Sequence, residues 1–165
     1  MLKDQEKYAI VVAGGAGVRM GGDIPKQFLP IGGLPVLMHT LKKFKAYDEA
    51  LHLVLVLPEN QFEYWKGLCV KSGFNVPHKL VKGGASRFRS VQNGLDSIAE
   101  KEGLVAIHDG VRPFVSKEVI HKSFTAAAKY GSAIAVVPLK DSIRSIDSNG
   151  SSQFNYLIGL NGKAN

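Results

Sequence analysis

The chain has 165 residues, enough for one domain with a substantial core. Hydrophobic residues make up 45% and charged residues 21%, which excludes a disordered chain; no apolar run nears the ~20 residues of a membrane span, and the opening MLKDQEKYAIVVAGG lacks the apolar stretch of a signal peptide. The net charge of +7 is dispersed, with no run of five cations and no interleaved aromatic platform, which speaks against a nucleic-acid partner, and the single Cys69 excludes an internal disulfide and fits a reducing, cytoplasmic setting.

Tyr8 to Ala13 reads as a first strand. Pro35 to Lys45 reads as a helix, because Leu37, Leu41 and Phe44 recur at spacings of four and three. Leu51 to Leu57 is nearly all apolar, as in a strand covered on both faces. Gln61 to Ser72 places Phe62, Trp65 and Cys69 on one helical face, and His78 to Lys82 is a short strand ending at Gly83-Gly84. Ser86 is a candidate N-cap for a helix to about Glu100, with Val91, Leu95 and Ile98 inward. Leu104 to His108 is another buried strand, Ser116 caps a helix to Tyr130, Gly131 stops it, and Ala133 to Val137 is the next strand. Ser142 to Asp147 and Gln153 to Leu160 then flank the turn sequence Ser148-Asn149-Gly150-Ser151, a hairpin signal.

This alternation predicts an α/β fold: a Rossmann-like, doubly wound, mostly parallel sheet, with a β-hairpin arm near the C-terminus. The expected division is an α/β domain over residues 1–138, the arm over 139–160 and a tail over 161–165. Ligands in such sheets sit at the carboxyl ends of the strands. The loop at 14–17, Gly83-Gly84 and Asp109-Gly110 all follow strands and therefore face one side.

The first of these loops, Val11-Val12-Ala13-Gly14-Gly15-Ala16-Gly17-Val18-Arg19-Met20-Gly21-Gly22 with Pro25-Lys26-Gln27 behind it, carries the most chemistry. Glycines at 14, 15 and 17 let backbone N–H groups approach phosphate oxygens without a Cβ in the way. Arg19 can grip two phosphate oxygens as a fork, and Lys26 is a mobile point charge suited to a transferring phosphorus. The loop is not a Walker P-loop, since Arg19-Met20 stands where a GK[ST] ending would be needed. Nor is it the dinucleotide fingerprint, because Met20 occupies the third glycine's place and no acidic residue ends the second strand. A kinase glycine loop would need further motifs that are not here.

The string resembles the signature of sugar-phosphate nucleotidyltransferases. Pro25 to Leu37 extends the match. Gly83-Gly84 with Arg87, Ser90-Val91 and Gly94-Leu95, then His108-Asp109-Gly110-Val111-Arg112-Pro113, then Pro138-Leu139-Lys140-Asp141-Ser142 follow as ordered blocks. Over about residues 8 to 147 the chain is similar to the 2-C-methyl-D-erythritol 4-phosphate cytidylyltransferases. That resemblance implies transfer of CMP from CTP to 2-C-methyl-D-erythritol 4-phosphate, with release of pyrophosphate, in non-mevalonate isoprenoid biosynthesis. It assigns catalysis to Arg19 and Lys26. It assigns CTP binding to Ala13, Gly14, Gly15, Gly17, Gly84, Ser90 and Gly110, and the acceptor to Asp109, Arg112 and Ser142. Asp109 would also bind Mg²⁺, and the hairpin arm would swap between the subunits of a homodimer. His108, His39, His52 and Cys69 read as structural.

Two departures shape the expectation. Ala85-Ser86 stands where an Asp-Glu pair is common in the family, and Ser142 replaces threonine with its hydroxyl kept. The family's later segments are not recognised in Ser151 to Asn165, so the chain reads as a member cut short or altered near its end, the alternative being a divergent natural terminus. Two other functions stay open: a ribitol-5-phosphate cytidylyltransferase, which shares the nucleotide blocks, and an inactive CTP-binding remnant or dimer-forming fragment.

Overall fold

The computed structural model describes residues 5–14, 24–100, 102–137, 143–146, 148–149 and 152–156, with the segments 143–146 and 152–156 as backbone alone. Its residue contacts divide it into two compact units, Met1–Ala133 and Ile134–Asn165.

The first unit is built on a parallel four-stranded sheet. Strands β1 (Lys7–Val12), β4 (His52–Leu57), β5 (Lys79–Lys82) and β6 (Leu104–Asp109) lie in the order β5-β4-β1-β6. A small antiparallel hairpin, β2 (Pro30–Ile31) and β3 (Leu34–Pro35), precedes helix α1 (Val36–Tyr47). Helices α2 (Phe62–Lys71) and α3 (Arg87–Asp96) form the remaining crossovers, and α4 (Lys117–Tyr130) follows the last strand, β6. The doubly wound parallel sheet expected from the sequence is therefore present.

Strand alternation sorts the apolar residues between two faces. Ala9, Val11, Leu53, Leu55 and Leu57 join one core with Leu37, Leu41 and Phe44 of α1, Trp65 of α2, and Ile120 and Phe124 of α4. Ile10, Val54 and Val56 face the other way, beneath α3. There the approach is close: a Cβ on Gly94 would stand 2.7 Å from Ile10 Cγ2. A helix seated through Ser90 and Gly94 turns Leu95 outward, so Leu95, expected inside, is 42% exposed. The helix also ends earlier than the expected Glu100. The Ser97 hydroxyl donates back to the Gly94 carbonyl at 2.8 Å and Lys79 Nζ donates to the Ser97 carbonyl, capturing the groups that a further turn would use.

Helix α4 starts and stops as its sequence predicts. Ser116 Oγ accepts the Val119 amide at 3.2 Å, and Gly131 closes it at φ 85°. The strand expected at Ala133 to Val137 is not formed. Residues 132–137 join no ladder, and Ile134, Val136 and Val137 are exposed. Apolar alternation creates a strand only where a neighbouring edge supplies hydrogen bonds. In the second unit, β7 (Ile143–Ile146) pairs antiparallel with β8 (Ser152–Tyr156), with an irregularity between Ser145 and Ile146.

Candidate active site

Because all four strands of the main sheet run parallel, their carboxyl ends form one rim. Three backbone hydrogen bonds tie its loops together as they leave the sheet. Ala13 N donates to Val56 O at 3.0 Å, Gly83 N to Leu57 O at 2.8 Å, and Gly110 N to Val12 O at 2.8 Å. Of the residues assigned to the nucleotide, Gly14 is exposed at this rim. Ala13 and Gly110 are buried; the Ala13 amide is committed to the strand linkage, as is that of Gly110, whose carbonyl also accepts Thr40 Oγ1 at 2.8 Å. Both residues shape the loops beside them through these bonds.

The loop after β5 is held by Ser90. Its buried hydroxyl accepts the Gly84 amide at 3.0 Å, while Ser86 Oγ accepts the Arg89 amide at 3.2 Å. A Cβ on Gly84 would lie 2.4 Å from Arg89 Cβ, so the turn requires glycine there. Gly84 and Ser90, both named from the sequence, are thus brought into direct contact.

Lys26 is displayed by a short turn with buried anchors. Pro25 sets the entry, and the Pro25 carbonyl accepts the Phe28 amide at 2.8 Å. Gln27 and Phe28 are buried; Gln27 Nε2 donates to Gln61 Oε1 at 2.9 Å, and the Phe28 ring meets Tyr64 edge-on at 5.1 Å. Lys26, between a fixed entry and two anchored neighbours, is exposed and makes no ion pair among the described residues. The anchoring function of Gln27 was missed in the sequence; a long polar residue beside an aromatic in Pro-Lys-Gln-Phe was its only signal.

Asp109 is the electrostatic centre of the rim. It ends β6 opposite Val12. Arg87, the first residue of α3, places Nη2 at 3.0 Å and Nε at 3.3 Å from Asp109 Oδ1. Arg112 places Nε at 2.9 Å from Oδ2. The carboxylate is 29% exposed, whereas the two arginines are 63% and 74% exposed. His108, one residue earlier, packs edge-on against Phe44 at 5.1 Å, and burial pushes its imidazole below the usual histidine range. Its Nδ1 is buried without a hydrogen-bond partner among the described residues. An apolar cavity of about 450 Å³, lined by Ile31, Val36, His108, Arg112 and Phe114 among others, opens beside it. Arg19, Gly15, Gly17 and Ser142 lie outside the described residues.

No group of three or more His, Cys, Asp or Glu side chains among the described residues could hold a metal alone. Asp109 does suit Mg²⁺ of the kind shared with a nucleotide, which takes one or two carboxylates and completes its shell with phosphate oxygens and water. No helix among the described residues is long and apolar enough to cross a membrane.

A parallel sheet wound on both faces, with glycine loops, a displayed lysine and a carboxylate between arginines gathered at its carboxyl rim, is the arrangement of a Rossmann-like α/β domain that takes its ligand at the strand ends. The comparisons narrow this class. The chain belongs to the 2-C-methyl-D-erythritol 4-phosphate cytidylyltransferase family (IspD), whose profile matches residues 8–153. It is 50% identical over 145 residues to the 2-C-methyl-D-erythritol 4-phosphate cytidylyltransferase of Phocaeicola vulgatus, covering 88% of this chain and 66% of that protein. The Porphyromonas gingivalis protein of the same name is 48% identical over 155 residues, covering 94% of this chain and 67% of the relative. In structure it is similar to the 4-diphosphocytidyl-2C-methyl-D-erythritol synthase of Anaerococcus prevotii, with a TM-score of 0.78 and 28% identity over 94% of this chain and 65% of that one. The chain thus spans about two thirds of the length of the relatives it matches.

Proposed function

We propose that the chain carries the nucleotide end of a cytidylyltransferase that transfers CMP from CTP to 2-C-methyl-D-erythritol 4-phosphate and releases pyrophosphate. One observation carries this reading beyond kinship: Asp109, Arg87 and Arg112 meet at the same strand rim as the Gly14 and Gly84 loops. A triphosphate needs that combination of bare backbone, fixed cations and a carboxylate for its metal ion.

The chemistry is a direct displacement. A phosphate oxygen of the acceptor bonds to the α-phosphorus of CTP as the bond from that phosphorus to the β-phosphate bridging oxygen breaks, and pyrophosphate leaves with the electron pair. The attacking oxygen is already anionic, so no general base is required, which agrees with the half-buried His108, whose imidazole is held below the usual histidine range. Lys26 and Arg19 stabilise the charge growing on the triphosphate, and Arg112 holds the acceptor phosphate. Asp109 would hold Mg²⁺, which supplies charge neutralisation across the phosphates. The hairpin strands β7 and β8 serve as the arm through which two copies pair in the cytoplasm, an association that sedimentation of the full chain would reveal or exclude.

Lys26→Ala tests the mechanism, because Lys26 is exposed on an anchored turn and its loss should leave the fold intact. Turnover should fall about 100-fold or more, with CTP affinity changing far less, since removing a group aimed at transition-state charge costs that much in comparable sites. Pyrophosphate release by the wild-type chain is the reference measurement. An unchanged rate in the variant would remove Lys26 from the mechanism, and CTP binding without pyrophosphate release would make the chain a nucleotide-binding protein instead.

A further inference from the structure

Thr40 is a buried hydroxyl on α1 that the proposed chemistry leaves unused. A threonine inside a helix commonly turns its hydroxyl back to the carbonyl four residues earlier. Here that carbonyl, of Val36, lies 3.4 Å away, whereas the Gly110 carbonyl lies at 2.8 Å. A hydroxyl has one proton to donate, and the shorter contact takes it. Thr40 therefore reaches out of its own helix to the loop that follows β6, 70 residues away.

The accepting carbonyl has a particular place in that loop. Gly110 and Val111 are the central residues of a turn that Arg112 closes, its amide donating to the Asp109 carbonyl at 3.1 Å. Neither central residue has a positive φ, which leaves the type I form of the turn. Type II differs from it by turning over the peptide unit between the two central residues, and that unit carries the Gly110 carbonyl. Thr40 thus grips the one peptide that decides the form of the turn. Leu37, three residues earlier on α1, closes the same space: a Cβ on Gly110 would stand 2.9 Å from Leu37 Cδ1.

The two ends of the turn are not held alike. Asp109 ends β6 opposite Val12, and the Gly110 amide donates to the Val12 carbonyl at 2.8 Å, so the sheet fixes the chain as far as the Gly110 nitrogen. Arg112 lies beyond the gripped peptide. Its side chain is 74% exposed and reaches back to Asp109 Oδ2 at 2.9 Å. An exposed ion pair is weak, so the direction of Arg112 is set by the backbone beneath it.

We infer that Thr40 is a positioning residue for Arg112: from inside α1 it locks the turn that aims the guanidinium across the carboxyl rim at the acceptor phosphate. The identity of that acceptor rests on the cytidylyltransferase reading; the lock on the turn does not.

Thr40→Val keeps the shape and removes the proton, whereas Thr40→Ser keeps the proton and removes the methyl. Amide hydrogen exchange of the full chain reads the lock without any substrate. The Arg112 amide should exchange about tenfold faster in Thr40→Val than in wild type, and within about twofold of wild type in Thr40→Ser. The Gly110 amide, held by the sheet, should change far less. Unchanged exchange at Arg112 in Thr40→Val overturns the proposal, as does equal acceleration at Gly110 and Arg112, which a general loss of stability would give. Turnover reads the consequence. Thr40→Val should raise the KM for 2-C-methyl-D-erythritol 4-phosphate about tenfold with CTP affinity within about twofold, and Thr40→Ser should return it to the wild-type value. An active Thr40→Val enzyme whose acceptor KM is unchanged, or rises no more than that for CTP, removes Thr40 from the positioning of Arg112. If Thr40→Val does not fold, Thr40→Ala removes the same proton and carries the same comparisons. Faster exchange at Arg112 in a chain whose wild type releases no pyrophosphate keeps the lock and sinks the cytidylyltransferase reading.

Discussion

The two rims of the main sheet carry charged and polar groups of similar kinds, arranged to opposite ends. At the amino-terminal rim they are matched one to one. Lys7 Nζ meets Asp48 Oδ2 at 2.9 Å, Tyr8 Oη donates to Glu100 Oε2 at 2.9 Å, and His52 Nε2 stands 3.0 Å from Glu6 Oε2. Tyr8 and His52 also stack at 5.1 Å. At the carboxyl rim one carboxylate is shared by two arginines, and Lys26 has no ion-pair partner among the described residues. The larger cavity, about 540 Å³, lies at the amino rim among Tyr8, His52, His78 and Lys79, yet the surplus of positive charge lies at the other. Cavity size thus points one way and unbalanced charge the other. Charge is the better guide here, because a matched pair has little left to offer a ligand, whereas a cation surplus around one carboxylate is resolved by an anion.

If that contrast is right, mutations at the two rims separate activity from stability. The largest effect belongs to Asp109→Asn. It should lower divalent-dependent CMP transfer by about 100-fold or more while changing stability by about 1 kcal/mol or less, since its partners are mostly exposed. A large fall in melting temperature with turnover retained would reverse the assignment of the two rims. Asp48→Asn at the opposite rim should do the converse. Lys7 and Asp48 are only 13% and 26% exposed, so losing their bond should cost about 1 kcal/mol, with turnover unchanged. The effect has a pH signature. The hydrogen bond from Lys7 holds the Asp48 carboxyl below the usual carboxylate range. Its stabilisation is complete above the unfolded-state pKa, near 4, and is lost as pH falls through the lower folded-state value. Urea titrations of both proteins should therefore converge below about pH 4; a gap that persists into acid would mean the ion pair contributes nothing.

The two rims also differ in how much of them the sequence discloses. β1 and β4 lie within a residue or two of their expected bounds, because five consecutive apolar residues, nearly all buried, leave no second reading. The pattern puts Gly83-Gly84 and Asp109-Gly110 just after strands, while Gly84, Asp109 and Arg112 enter as site residues only through the family resemblance. Contacts made across the rim do not. Arg87 and Asp109 are separated by a helix and a strand, and neither periodicity nor spacing says which side chains meet above the sheet. Local chemistry was overlooked at Gly32-Gly33, whose φ values of 56° and 84° make the turn between β2 and β3. The expectation for Ala133 to Val137 went astray for a different reason. Composition reports a preference for extended backbone, whereas a strand is a relation between two segments. The same limit applies to β6, whose Val105 and Ile107 remain 39% and 47% exposed on the α3 face, although Leu104 to Ile107 is an unbroken apolar run.

The smallest predicted effect tests whether the amino rim is built for stability rather than binding. Burial, reinforced by its hydrogen bond to Glu100, pushes the Tyr8 phenol up to about 12. A phenol that ionises later in the folded chain than in the unfolded one stabilises the fold fully below the unfolded-state value, near 10. That contribution is lost as pH rises towards about 12. Tyr8→Phe keeps the ring over His52 and removes the titrating proton, so its stability should decline less steeply on the alkaline side than that of wild type. Turnover near neutrality should not change, because Tyr8 lies at the opposite end of β1 from Val12 and Ala13. Parallel alkaline unfolding curves for the two proteins would show that the Tyr8 proton is not linked to folding. A loss of turnover at neutral pH would mean that the amino rim takes part in the reaction, and the separation of the two rims would fail.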